Sequence, residues 1–89
     1  MAFTDFYTEM IDVSKTVSLI NQEIFVSNQS DCIANIIISD VSGHILNAFD
    51  LLSFQSKPIT FSKVGMFFIT ARSSGQVFTH KIVVQQWNS

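Results

Sequence analysis

Residues 67–84 read FFITARSSGQVFTHKIVV, two apolar runs hinged on Ser73-Ser74-Gly75-Gln76. Alternation decides how they are read. In the first run Phe67, Ile69 and Ala71 fall on one side of an extended chain, and Phe68, Thr70 and Arg72 fall on the other. In the second run Phe78, His80, Ile82 and Val84 make the apolar side, with Thr79, Lys81 and Gln85 opposite. A period of two belongs to a strand, and Gly75 supplies the positive φ that a tight hairpin requires. The stretch therefore predicts an antiparallel hairpin with one dry face and one wet face.

Reading outward from that hairpin, turn residues punctuate the rest of the chain in the same rhythm. Lys63-Val64-Gly65 is a turn, and Lys57-Pro58 is expected to break the chain before a strand ITFS at residues 59–62. HILNAFDLL (residues 44–52), CIANIIIS (32–39) and EIFVS (23–27) are separated by Asp40-Val41-Ser42-Gly43 and Asn28-Gln29-Ser30-Asp31. Strands recurring every 8 to 12 residues or so are the pattern of a sandwich or barrel. Ile36-Ile37-Ile38 is apolar on both faces, which places it in a central strand. The first 25 residues read two ways. Phe6, Met10, Val13, Val17, Ile20 and Ile24 form a stripe that suits a helix, whereas VSKTVS at residues 13–18 disfavours one through β-branched and hydroxyl side chains and favours strands near residues 10–13 and 16–20. The expected fold is all-β: a small antiparallel β-sandwich or barrel, immunoglobulin-like or jelly-roll-like, of about six to eight short strands. Residues 1–89 form a single domain, with a short N-terminal helix or an extended arm over residues 1–10.

Composition narrows the roles. Of the 89 residues 47% are apolar and only 13% charged, against a typical charged share of about 25%. A chain this short buries only about 60 to 65% of its extended surface and usually needs a further source of stability. A lone Cys32 cannot form an internal disulfide, and two His with one Cys are too few for a structural metal. Self-association is the remaining common route, and a surface poor in ions resembles the centre of a protein interface. Five cations (Lys15, Lys57, Lys63, Arg72, Lys81) against seven acids give a net charge of −2, which disfavours nucleic acid as the main partner. No apolar run is long enough for a membrane-spanning helix. The start MAFTDFYTEM lacks a basic n-region and carries Asp5 and Glu9, which predicts synthesis in the cytoplasm without a signal peptide, compatible with a place in a virion or other assembled particle.

Motifs that would carry chemistry are weak. Two His, one Cys and three Met bear a resemblance to small copper proteins, but Cys32 precedes both His44 and His80, and Met66 lies between them, an order that does not fit a blue-copper site. Cys32 is expected as a small buried thiol at a strand start. Asp40 to His44 with Asp50 offers oxygen ligands, yet the glycine falls at the fourth rather than the sixth position of a calcium loop, so an Asx-type hairpin turn is the reading. Asp5 and Glu9 would share a helical face as a solvated pair, not as paired acid and base. Catalytic motifs, cofactor sites and metal sites are not expected. In length and strand content the chain also resembles small phage single-stranded-DNA-binding proteins, with Lys63 among the aromatics of FSKVGMFF. That resemblance would imply a stacking groove built from Phe54, Phe61, Phe67, Phe68 and Phe78, whereas the scarcity of cations assigns these rings to core packing.

The expected function is a non-enzymatic structural protein that associates with copies of itself or with other structural proteins, as a virion component or filament subunit does. A small protein- or ligand-binding sandwich is the alternative and a DNA-binding barrel the second. The residues expected at the interface are Phe6, Phe68, Arg72, His80, Lys81 and Trp87. The lightly charged run VFTHKIVVQQW is expected to be an edge strand that invites pairing with another chain. The N-terminal arm is expected to serve assembly more than stability. His80, on the apolar side, is the natural place for an acid-sensitive contact.

Overall fold

A computed structural model of the chain describes residues 10–86. Its strands are β1 (Ile11–Val13), β2 (Val17–Leu19), β3 (Ile24–Asn28), β4 (Ala34–Asp40), β5 (Ile45–Leu51), β6 (Ser56–Ile59), β7 (Gly65–Ser73) and β8 (Gln76–Gln85). No helix occurs among the described residues, so none there crosses a membrane. The ambiguity over residues 10–20 resolves in favour of strands, while the expected helix or arm before Met10 lies outside the described residues.

The strands form a three-stranded sheet, β1-β3-β6, and a five-stranded sheet, β2-β8-β7-β4-β5. In immunoglobulin lettering β1, β3 and β6 stand where A, B and E stand, and β8, β7, β4 and β5 where G, F, C and C′ stand, without D or C″. All pairings are antiparallel except β2 with β8, which is parallel because the chain crosses from one sheet to the other between β1 and β2. Where antibody domains place a disulfide between B and F, this chain buries Ile24, Val26, Ile69 and Ala71. The core joins Ile11, Ile24, Val26 and Ile59 of the smaller sheet to Ile36, Ile38, Phe67, Ile69, Ile82 and Val84 of the larger, with β4 central as the Ile36-Ile37-Ile38 run predicts.

The terminal hairpin has the predicted faces: Phe67, Ile69, Ala71, Ile82 and Val84 are buried. Its connection is tighter than the sequence suggests, because Ser73 pairs with Gln76 and only Ser74 and Gly75 turn, both at positive φ (52° and 78°). That is the two-residue turn whose twist matches the strands.

Three expectations need correction. The strand expected at residues 59–62 is β6, Ser56–Ile59, and it runs through Lys57-Pro58 rather than starting after it. Proline is tolerated because β6 is an edge strand and Phe25, opposite Pro58, turns its own N–H and C=O to Ser14 on the β1 side, so the pair makes no ladder bond that Pro58 would have to donate. VFTHKIVVQQW is not a plain edge: β8 lies between β7 and β2, although β2 covers only Val83, Val84 and Gln85. Cys32 is exposed rather than buried, since β4 starts two residues later; its carbonyl accepts from Asn28 and Ser30, and its thiol donates to Asp31 Oδ1 at 3.6 Å.

That carbonyl belongs to a buried polar knot. Asn28, 2% exposed at the end of β3, places Nδ2 at 2.7 Å from Cys32 O, 3.2 Å from Leu51 O and 3.1 Å from Leu52 O. Its Oδ1 accepts from Ser30 N at 3.0 Å and from Ser30 Oγ at 2.9 Å, while Asn28 N donates to Gln55 O at 2.8 Å. One amide thereby fastens the β3–β4 loop to the β5–β6 loop, satisfying carbonyls that the sheet ends leave open. Asn28→Asp keeps the shape but replaces donors with a charge facing carbonyls. It is expected to lower the unfolding free energy by about 2 to 4 kcal/mol, measured by urea denaturation; a loss below about 0.5 kcal/mol would refute the role given to this amide.

Candidate interaction surface on the five-stranded sheet

The face of the larger sheet that looks away from the core is built by alternation, and the registers set it out in rows. Lys81, Phe68, Ser39 and Ile45 stand abreast, as do Thr79, Thr70, Ile37 and Ala48, and then Val77, Arg72, Asn35 and Asp50. At the β2 side Val17, Val83 and Met66 make a further row. Ile45 is 64% exposed, Val77 57%, Val17 55% and Met66 44%, while Phe68, Ile37 and Val83 are half-buried by their neighbours. Charge in these rows is confined to Lys81, Arg72 and Asp50, and Asn35 Nδ2 donates to Asp50 Oδ1 at 3.0 Å. The result is an apolar band crossing a pleated surface with one hydrogen-bonded polar row at its end.

Of the residues expected at an interface, Phe68, Arg72 and Lys81 come together here, with Phe68 directly opposite Lys81. His80 lies on the other face of β8, opposite Ile69 and half-buried, so it is not part of this surface. Phe6 and Trp87 lie outside the described residues. Sequence reading missed Val17, Ile45 and Met66. Val17 and Met66 were signalled by a parity opposed to the buried residues of their strands, whereas Ile45 shares the parity of Phe49 and Leu51 and joins this row only through the bulge between Ile38 and Ser39.

The aromatic rings do not make one platform. Phe61 and Phe67 stack in the core with centroids 4.5 Å apart, Phe68 and Phe78 sit on opposite faces of the sheet, and Phe54 projects from the β5–β6 loop. Phe54 departs from the expected core placement, being 70% exposed at a φ of 58°. The four-residue loop is pinned through its main chain, with Phe54 N donating to Ser30 O and Leu52 N to Gln55 Oε1, and the ring is left outside.

On the side where D and C″ would lie, a cleft of about 470 Å³ opens between β5 and β6, walled by Ile38, Leu46, Ile59, Phe61 and Phe67, with Lys63 and Asp40 also lining it. Further along, Lys57 Nζ sits 4.7 Å from the centre of the Phe49 ring and bridges the two sheets. The Asp40 carboxylate is committed to its own turn: Oδ1 accepts from Ser42 N (3.0 Å), Ser42 Oγ (2.7 Å) and His44 N (3.0 Å), with Gly43 at φ 90° closing the loop. This is the Asx-type turn expected from the sequence. No group of three or more His, Cys, Asp or Glu stands together among the described residues. The chain matches no protein-family model and no curated protein.

The Ser42 hydroxyl, helped by the main-chain N–H groups of His44 and Ser42, holds the Asp40 carboxyl below the ordinary carboxylate range. A folded value below the unfolded one, about 3.9, gives a contribution to the turn that is present above that pH and lost as the pH falls through the lowered value. Carbon-13 NMR of the Asp40 carboxyl is expected to show a midpoint under about 3.9 that moves up in Ser42→Ala; an unchanged midpoint in that variant would contradict the assignment.

Proposed function

We propose that this chain is a non-enzymatic structural subunit that works by associating with copies of itself, and that the outer face of the five-stranded sheet is the surface it uses. The observation that carries this reading is the pairing of exposed apolar side chains with a scarcity of charge on one continuous sheet face. Isolated exposed apolar residues are ordinary on any protein, but a connected band rimmed by a few polar groups is the composition of an interface centre. Arg72 and Asp50 lie in one row separated by Asn35, so a two-fold related copy laid over this face with its strands alongside sets acid against base. A particle or filament subunit is the natural use of such a module.

The cleft favours a second reading, a small-ligand-binding module. Its volume of about 470 Å³ is within the usual range for such sites, and Lys63 supplies the charge not already engaged in the fold. It ranks below the first reading because one of its two charged side chains, Asp40, is spent on the turn.

Phe68→Asp places a charge in the middle of the band without touching the core. Light scattering of the wild-type chain is expected to give a mass that exceeds the 10.0 kDa monomer and grows with concentration. The substitution is expected to weaken association at least about tenfold, the equivalent of about 1.4 kcal/mol. A wild-type chain that stays at 10.0 kDa at millimolar concentration would sink the reading.

A further inference from the structure

We infer that the open edge of β8 is a second self-association site, at which β8 of another copy pairs antiparallel about Thr79 to join two five-stranded sheets into one of ten strands. The inference adds a contact to the outer face and rests on the same reading of the chain as self-associating. Its basis is main-chain geometry. Val83 N donates to Thr16 O at 2.8 Å, and Gln85 O accepts from Ile20 N at 2.9 Å, so the odd-numbered residues of β8 aim their peptide groups at the β2 side. By the same alternation Val77, Thr79 and Lys81 aim theirs that way too, while the even-numbered residues bond to β7. β2 begins opposite Val83, so beside residues 76–82 no strand stands among the described residues.

The other long edges are blunted. On β5, Asn47 folds its own Oδ1 onto Ala48 N at 2.9 Å, occupying a main-chain donor that an incoming strand would need. On β6, Lys57 and Pro58 present a charge and a residue with no N–H, the usual devices against edge pairing. β8 carries only Lys81, and its side chain points along the outer face rather than into the ladder.

The partner is a second copy because the edge is complementary to itself. With a two-fold axis at Thr79, Thr79 faces Thr79, Lys81 faces Val77 and His80 faces Phe78, so no like charges are opposed. Three N–H groups from each copy find carbonyls across the axis, and the seven shared residues span about 23 Å. The pairing ends where β2 begins on each side, which fixes the register. A subunit with one two-fold contact on its face and another on its edge builds an open-ended chain, whereas either contact alone closes a dimer.

The test uses the Phe68→Asp chain, whose face contact is removed, and reads mass by light scattering at low salt. That chain is expected to be a dimer. Adding Val77→Lys sets lysine against Lys81 twice per dimer, and adding Val77→Glu sets glutamate there. The two dissociation constants are expected to differ by about tenfold or more with the glutamate variant the tighter, and the gap should close in 1 M salt. Adding Thr79→Pro removes a donor that has no partner strand within the subunit and is expected to give monomers with an unchanged circular dichroism spectrum. If Phe68→Asp alone is monomeric while the wild type associates, or if the two Val77 variants behave alike, the edge inference fails and the face reading stands. A wild-type chain that never associates overturns both.

Discussion

Ile24, Val26 and Ile59 meeting Ile36, Ile69 and Ile82 across the gap between two sheets is the contact on which the molecule depends. The sheets are unequal, three strands against five, so the larger is wider by two strand spacings, about 10 Å. One layer of dry interior is available, and the smaller sheet decides its width. The apolar side chains on the inward parity of β4, β7 and β8 are buried there, apart from a half-buried Phe78. Those on the outward parity range from half-buried to exposed, and in this chain that second set is large. Lys57 over Phe49 and the stacked Phe61 and Phe67 close part of the open side with side chains where longer sandwiches use extra strands.

The same constraint explains what was legible in the sequence. A period of two needs only local alternation, so the faces of the terminal hairpin and the central place of Ile36-Ile37-Ile38 followed from the residues themselves, whereas residues 10–20 read two ways, an apolar stripe suiting a helix and β-branched side chains suiting the strands that form. The Asx turn at Asp40 was legible because its hydrogen bonds are local. What the sequence hid depends on non-local pairing. Pro58 reads as a break until its partner, Phe25, is seen to turn its peptide groups to β1. Cys32 reads as the start of a strand until Asn28 is seen to tie its carbonyl to those of Leu51 and Leu52, distant in the chain. Phe54 reads as core until the main-chain bonds of its loop force the ring outward. Of the residues expected at an interface, parity places Phe68, Arg72 and Lys81 on the outer face of β7 and β8, whereas His80 has the opposite parity and is half-buried on the inner face.

Sandwich proteins that live alone spend residues on protecting edges and wetting outer faces. Among the described residues, the chain protects β5 and β6 and leaves residues 76–82 of β8 and the outer face of the large sheet uncovered. In the proposed assembly that asymmetry is the function: the protected edges keep subunits from joining in the wrong place, and the bare surfaces join them in two defined ways. The low count of ions then serves association, since each charge removed from an interface is a desolvation penalty avoided.

The most direct test of the central claim, that folding and association are linked in this chain, is thermal unfolding over a hundredfold range of protein concentration. Association of the folded state alone makes the midpoint depend on concentration by mass action. The account predicts a Tm that rises steadily from the most dilute sample to the most concentrated. A single cooperative transition at the same temperature throughout the series would contradict it.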